Sequence, residues 1–313
     1  EGQFDSDLFK EKSSHANVKM IEIKLSQGAK PGHGGILPAA KVTKEISEIR
    51  NVPLGKDVNS PPAHSAFSTP KELLEFVKQL RDLSGGKPIG FKLCVGKRRE
   101  FLAICKAMVE TNIIPDYIAV DGGEGGTGSA PLEFSNSIGA PLTEALIFVH
   151  NALTGFNLRS KLRVICSGKI ISGFDIVKNM AVGADLCYSA RAMMLAVGCI
   201  QSLKCNANTC PTGVATQDPH YMQALNIEDK AKRTSTFHDS TVESVAEIIG
   251  AMGLKKTSDL KPWHRVRRTD FTEIKNYSEL FEYIESGSLL KEPYPEKWGR
   301  AVKSASSTSF KNS

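Results

Sequence analysis

The feature that most limits how this chain can fold is an alternation of two textures. Short apolar runs rich in β-branched residues occur at VKMIEIKL (18–25), PIGFKLCV (88–95), DYIAVDGG (116–123), LRVICSGK (162–169) and the start of ADLCYSARAMM (184–194). Longer amphipathic stretches separate them. PKELLEFVKQLRDLS (70–84) has apolar residues at 73, 74, 77 and 80, the spacing of one helix face. Residues 99–111, 142–153 and 173–183 read as helices, and 184–194 runs from a strand into another. Such alternation builds a parallel sheet. Strands covered on both faces read as continuous apolar runs, as these do.

A doubly wound sheet and a barrel both fit this pattern. Glycines and polar residues cluster after the C-terminal end of each strand, where a (β/α)8 barrel keeps its site. No GxGxxG fingerprint follows the first strand, as a dinucleotide fold would want. The expected fold class is therefore α/β, the C-terminal part of a (β/α)8 TIM barrel with about five strands visible, followed by a helical tail. A closed barrel needs eight strands, so three are expected upstream of Glu1, which is not a Met. The expected division is a partial barrel over 1–219 and a helical extension over 220–313. The small polar end AVKSASSTSFKNS reads as disordered.

Bulk composition narrows the function classes. Hydrophobic residues make up 41% and charged residues 24%, enough for a sizeable core. The net charge of +6 is spread along the chain, and the single basic cluster, RVRR (265–268), is too small to argue for nucleic acid. No run reaches the roughly 18 apolar residues of a membrane helix, and no signal peptide pattern is present. Seven cysteines, an odd number in a chain without an export signal, point to a reducing cytoplasm. A membrane segment upstream of residue 1 stays compatible. Cys94, Cys105, Cys166 and Cys187 sit singly in apolar surroundings and read as core residues.

The loops carry the chemistry. QGAKPGHGGILP has four glycines within 28–35, with Lys30 to neutralise an anion and Gln27 to donate a hydrogen bond. NSPPAHSAFSTP (59–70) is stiffened by prolines; Ser68 or Thr69 is the expected helix cap, and His64 is a packing or site residue. VDGGEGGTGSAP has five glycines within 122–128, which let backbone approach a flat or anionic ligand, with Asp121 and Glu124 as polar contacts. Gly168 and Lys169 follow one strand, and Ser189, Ala190 and Arg191 follow the next. Two consecutive ends of this kind suit a phosphate. Lys92 lies mid-strand in GFKLCV, where a lysine is costly unless it is paired or faces a site.

CIQSLKCNANTCPTGVATQ (199–217) spaces its cysteines as Cys-x5-Cys-x4-Cys. Structural zinc takes four ligands and closer pairs, and only His220 lies near as a fourth. Thiolates also suit iron–sulfur clusters. Four-iron clusters usually take four cysteines, so the spacing favours a three-iron cluster.

Taken together, IKLSQGAKPGHGGILP, VDGGEGGTGSAP, SGKIISGFD and CIQSLKCNANTCPTGVATQDP resemble the FMN-binding synthase domain of glutamate synthase, closest to its stand-alone, archaeal-type versions. The resemblance runs from about residue 18 to 219. It implies FMN in the barrel and a 3Fe–4S cluster on Cys199, Cys205 and Cys210. It implies that Gln27 and Lys30 contact 2-oxoglutarate and the cofactor region, and that Lys92 lies by the flavin ring. Asp121, Gly122, Gly123, Gly125 and Gly126 would line the flavin pocket; Gly168, Lys169, Ser189, Ala190 and Arg191 would hold its phosphate. The implied reaction is reductive amination of 2-oxoglutarate with ammonia to L-glutamate. No glutaminase or NAD(P)H domain is visible in the sequence. Ammonia would then come from solution or a glutaminase partner, and electrons from ferredoxin or an NAD(P)H-oxidising subunit. Two positions depart from the family pattern: His33 where the large synthases usually have Glu, and Ile36 where they have Gln. Ile36 leaves room for methylamine as the amine, as in N-methylglutamate synthase-type enzymes. Two other readings are an electron-transfer subunit without keto-acid chemistry, which Gln27 and Lys30 argue against, and a nucleotide-phosphate barrel, which leaves the three cysteines unexplained.

Overall fold

In the computed structural model the described residues are 3–126 and 130–311. Five of the strands pair in parallel: β1 (Ile21–Lys24), β4 (Ile89–Leu93), β5 (Tyr117–Asp121), β6 (Arg163–Ser167) and β7 (Leu186–Tyr188). Between the first two lies a small antiparallel pair, β2 (Ile36–Leu37) and β3 (Val58–Asn59). The sheet order is β1-β4-β5-β6-β7, with registers such as Ile21↔Ile89, Gly90↔Tyr117, Tyr117↔Arg163 and Ile165↔Leu186. Each strand adds to the same edge. A doubly wound sheet reverses its order at a switch point; this one does not. The sheet also curls: Tyr188 on the last strand donates to Glu22 on the first at 3.1 Å, joining the two edges of the sheet. The architecture is that of a partial (β/α)8 barrel, as the sequence led us to expect.

The strands are short and alternate strictly. Ile89, Phe91, Ile118, Val120, Val164 and Cys166 are fully buried and join the main core with Leu73, Leu74, Leu102 and Leu146 from the helices. Tyr117, Ala119 and Ile165 form a separate cluster, the inner layer of the barrel. Gly90 makes that layer possible, because a Cβ there would lie 2.5 Å from the Tyr117 ring, whose hydroxyl donates to the Ile21 carbonyl at 2.9 Å.

The connecting helices have sequence-encoded starts. α1 (Ser6–Ser14) and α2 (Lys44–Arg50) are short, polar and not evident from periodicity. α3 (Pro70–Leu83) begins with a capping box in which Thr69 accepts from the Glu72 N–H, so Thr69 is the cap. α4 (Arg98–Thr111) ends at Asn112, φ 54°, and α5 (Leu142–Gly155) follows Pro141. α6 (Gly173–Met180) has the Ser172/Asp175 box, and α7 (Arg191–Val197) stops at Gly198, φ 120°. His64 stacks on Phe67 at 4.6 Å, a packing role.

Beyond residue 218 come α8 (Pro219–Met222), the long α9 (Ile227–Ala251) packed on α6 and α7, an exposed hairpin of β8 (Val266–Arg268) and β9 (Ile274–Asn276), α10 (Tyr277–Leu280) and α11 (Glu296–Ser304). The disordered end expected from composition is corrected over the described residues. Trp298 stacks on Phe148 (5.3 Å, 12°), and Val302 is fully buried. Lys106 Nζ donates to the Val302 and Ala305 carbonyls at 2.7 and 2.9 Å, and Ser307 Oγ to Glu110 at 2.7 Å. The small residues that look unstructured in sequence are what let this segment lie close against α4. Among the described residues no helix is long and apolar enough to cross a membrane.

Two stability outcomes follow. Trp298→Ala should destabilise the fold by about 3–5 kcal/mol through the cavity it leaves, read as a lowered midpoint in urea; an unchanged midpoint would mean that α11 is not docked. His150 is held down to about 4 by burial first and then by Arg159. Its folded value lies below the ordinary unfolded value of about 6.5. The neutral ring's contribution is therefore intact above pH 6.5 and is lost as pH falls towards 4, about 3 kcal/mol in all. His150→Gln should flatten the pH dependence of unfolding in that window.

Candidate functional site

Five strand ends converge on one cavity of about 290 Å3 at the C-terminal mouth of the sheet. Gln27, Lys92, Asp121, Gly125, Gly126, Gly168, Lys169, Ala190 and Arg191 line it, all marked out in the sequence. Lys24, Ala29, Ser167, Ile170 and Tyr188 line it as well. Lys30 does not, though its charge acts on Lys24; nor do Gly122, Gly123 and Ser189. They lie behind the wall: Gly122 N donates to Ser167 O (2.8 Å), Gly123 N to Ala140 O (2.8 Å), and Ser189 Oγ to Ile170 O (2.8 Å). Gly128, the fifth glycine of its loop, lies outside the described residues.

Asp121 is the joint of this mouth. Its Oδ2 accepts the Gly28 N–H at 2.7 Å and its Oδ1 the Ser167 hydroxyl at 2.6 Å. One carboxylate at the end of β5 therefore clamps the loop after β1 and the end of β6. The clamp demands close backbone contact: a Cβ on Gly28 would lie 1.8 Å from the Gly122 carbonyl oxygen. Glu124, expected as a ligand contact, instead accepts the Leu142 N–H at 2.9 Å with its Oε2 and starts α5. The β6–α6 turn needs left-handed backbone, with Gly168 at φ 143° and Lys169 at φ 52°. Lys169 Nζ reaches Asn136 Oδ1 at 3.2 Å. A Cβ on Gly126 would meet the Arg191 guanidinium at 2.7 Å, so that loop runs directly over it.

The cavity is strongly cationic. Lys24, Lys92, Lys169 and Arg191 line it, while the lone carboxylate in its wall, Asp121, spends both oxygens on the clamp. Burial, and then the charges of Lys92 and Lys30, push Lys24 below the usual lysine range, with Asp121 opposing. Lys30 is 4% exposed, and its ammonium has no ion pair or hydrogen bond among the described residues. The sequence reading missed Lys24. Strand register was the signal: Ile23 points into the helix layer, so Glu22 and Lys24 point to the barrel interior.

The cysteine loop starts where α7 stops. Cys199 N donates to Met194 O at 2.9 Å, and left-handed Gln201, Leu203 and Asn208 turn the chain through the two intervals. Cys210 is 5% exposed. Burial works to raise its thiol, but the Thr212 hydroxyl and the N–H groups of Thr212, Ala215 and Val214 outweigh burial and lower it, favouring thiolate. Cys199 and Cys205 are half-buried. Among the described residues, no three His, Cys, Asp or Glu side chains gather as a metal-ion site, and His220 packs edge-on against Tyr221 instead. The loop is tied to the turn that follows β2: Asn208 Nδ2 donates to Ala40 O at 3.0 Å and Lys41 Nζ to Ala215 O at 3.1 Å. His33 is exposed, with Nδ1 2.8 Å from Gly34 O, and Ile36 is 50% exposed on β2; neither lines the cavity.

Gly28→Ala should pry the two loops apart. Overpacking of this kind costs about 1–3 kcal/mol, measurable by urea unfolding; wild-type stability would mean that the loops are not pressed together.

The chain can now be set beside known proteins. The conserved region in glutamate synthase matches residues 3–255. The glutamate synthase large subunit-like protein YerD of Bacillus subtilis is 39% identical over 285 residues, covering 91% of this chain and 54% of that protein. The archaeal glutamate synthase [NADPH] of Methanocaldococcus jannaschii is 35% identical, covering 77% of this chain and 47% of that one. The chain thus spans about half the length of these curated relatives. Among solved structures, a mutant flavocytochrome b2 with benzoylformate aligns at a TM-score of 0.47 and 17% identity, covering 82% of this chain and 49% of that one. The family match covers most of the chain, and the chain belongs to the glutamate synthase family through that conserved region.

Proposed function

We propose that this chain is the catalytic part of a glutamate synthase-like oxidoreductase that reductively aminates 2-oxoglutarate to L-glutamate. The observation that carries this reading is the cavity at the strand ends lined by Lys24, Lys92, Lys169 and Arg191, with the little-exposed Lys30 close enough for its charge to act on Lys24. Relatives named glutamate synthase support it.

The residues present suit FMN. The wall offers glycine backbone for a flat ring, and Lys169 and Arg191 offer positive charge for a phosphate. In this reading Lys92, Asp121, Gly125 and Gly126 border the ring, with Gly122 and Gly123 backing that wall, and Gly168, Lys169, Ala190 and Arg191 hold the phosphate end, with Ser189 behind them. The three cysteines suit a 3Fe–4S cluster by donor type: three soft sulfur donors in one loop, with Cys210 favoured as thiolate. When bound, FMN supplies the hydride and the cluster a path for electrons.

The chain's own groups do the positioning. Lys30 pairs with a carboxylate of the keto acid and Gln27 donates to it. The Lys24, Lys30 and Lys92 charges favour binding of the dianion. The Asp121 clamp keeps the walls of the site together without placing a free carboxylate against an anionic substrate. Ammonia comes from solution or from a glutaminase partner, and electrons from ferredoxin or an NAD(P)H-oxidising subunit, in the cytoplasm. Ile36, where the large synthases carry Gln, does not line the cavity; methylamine is the second amine to test.

The test uses the full-length protein, purified without oxygen and reduced with dithionite. Ammonia with 2-oxoglutarate should reoxidise the flavin rapidly and yield L-glutamate. Reoxidation with methylamine alone would move the assignment to N-methylglutamate formation, and absence of bound FMN would sink the proposal. Lys30→Met should raise KM for 2-oxoglutarate about a hundredfold, since it removes one partner of a desolvated charge pair. Cys205→Ser should abolish a three-iron EPR signal.

A further inference from the structure

Behind the cavity wall sits a carboxylate that the proposed reaction leaves without a role. Glu22 lies on β1 and points into the barrel. Its Oε1 is 3.7 Å from Lys92 Nζ, and its Oε2 accepts the Tyr188 hydroxyl at 3.1 Å. Lys92 and Tyr188 line the cavity; Glu22 does not. The Glu22 and Lys92 side chains are each 24% exposed, so the pair is partly desolvated. Three strands meet on this one group, and two of them are the opposite edges of the sheet.

Lys92 needs such a partner. A lysine ammonium on a flexible stem has many rotamers, and here it shares the barrel interior with Lys24, which feels the charges of both Lys92 and Lys30. Repulsion alone would drive Lys92 away from the wall. The Glu22 carboxylate opposes this, and the Tyr188 hydroxyl fixes the carboxylate from the far side.

We propose that Glu22 is a positioning residue that holds the Lys92 ammonium at the cavity wall, braced by Tyr188, so that Lys92 faces the anionic ligand. The inference rests on the reading that FMN occupies this cavity. It also reverses a simple electrostatic expectation. Removing a negative charge near a flavin ordinarily favours its anionic reduced form. If Glu22 acts by holding Lys92, its loss instead disfavours that form, as loss of Lys92 does.

The experiment uses the full-length apoprotein titrated with FMN, followed by quenching of flavin fluorescence, and the midpoint potential of the loaded protein. Lys92→Met and Glu22→Gln should each weaken FMN binding about tenfold. The double variant should be no weaker than Lys92→Met alone, because both changes remove one interaction. Both single variants should lower the potential; a tenfold change in the ratio of reduced to oxidised affinity corresponds to about 30 mV for a two-electron couple. Glu22→Asp should recover part of the loss. Tyr188→Phe loosens the carboxylate without removing a charge and should shift the potential the same way, which keeps the test available should Glu22→Gln not fold. A raised potential in Glu22→Gln, an unchanged one in Tyr188→Phe, or losses that multiply in the double variant would overturn the inference. If the wild-type protein takes up no FMN, the reading of the cavity fails and the inference falls with it; FMN bound with multiplying losses overturns the inference alone.

Discussion

The mouth of this barrel depends on the Asp121 carboxylate. Three strand ends approach more closely than side chains would allow, and a charge-assisted bond to each flanking element holds them there. The glycines around it follow from this. Gly28 and Gly122 are spaced for contact between backbones, and any Cβ at Gly28 would occupy the place of a carbonyl oxygen. A loop so constrained can present N–H groups and cationic side chains at fixed positions, where a flexible glycine loop would have to order itself on binding.

The constraint has an electrostatic side. With its one wall carboxylate committed to the scaffold and Lys92 paired to Glu22 behind the wall, the cavity carries Lys24, Lys169 and Arg191 without an ion pair among the described residues. Lys30 is little exposed and has no ion pair among the described residues, and Lys24 is held in a setting that disfavours its charge. An anion entering the site encounters charges already oriented, so little reorganisation opposes it.

Much of this was legible in the sequence. The five strands, the four main helices and the Thr69 cap follow from apolar periodicity and local capping chemistry, which depend on near neighbours. The strand-end glycines and cations pointed to loops that meet at the cavity, because a (β/α)8 architecture fixes which ends of its strands share a face. What stayed hidden depends on contacts distant in sequence. Glu124 looked like a ligand residue until its partner proved to be Leu142 N, at the start of α5. The end of the chain looked disordered because its small residues carry no pattern; Trp298 and Lys106 order it from outside. Lys24 was passed over because its importance lies in which face of a four-residue strand it occupies.

The bonds between Asn208 and Ala40, and between Lys41 and Ala215, fasten the cysteine loop to the segment that continues from Gln27 and Lys30. Such fastening has a thermodynamic corollary. Two loops that share bonds share their fluctuations, so whatever restrains one lowers the entropy still to be lost by the other. Linkage makes any such effect symmetrical: a ligand on either loop would strengthen binding at the other by the same factor. In the function proposed above, the cluster side and the keto-acid side of the barrel would then behave as one cooperative unit.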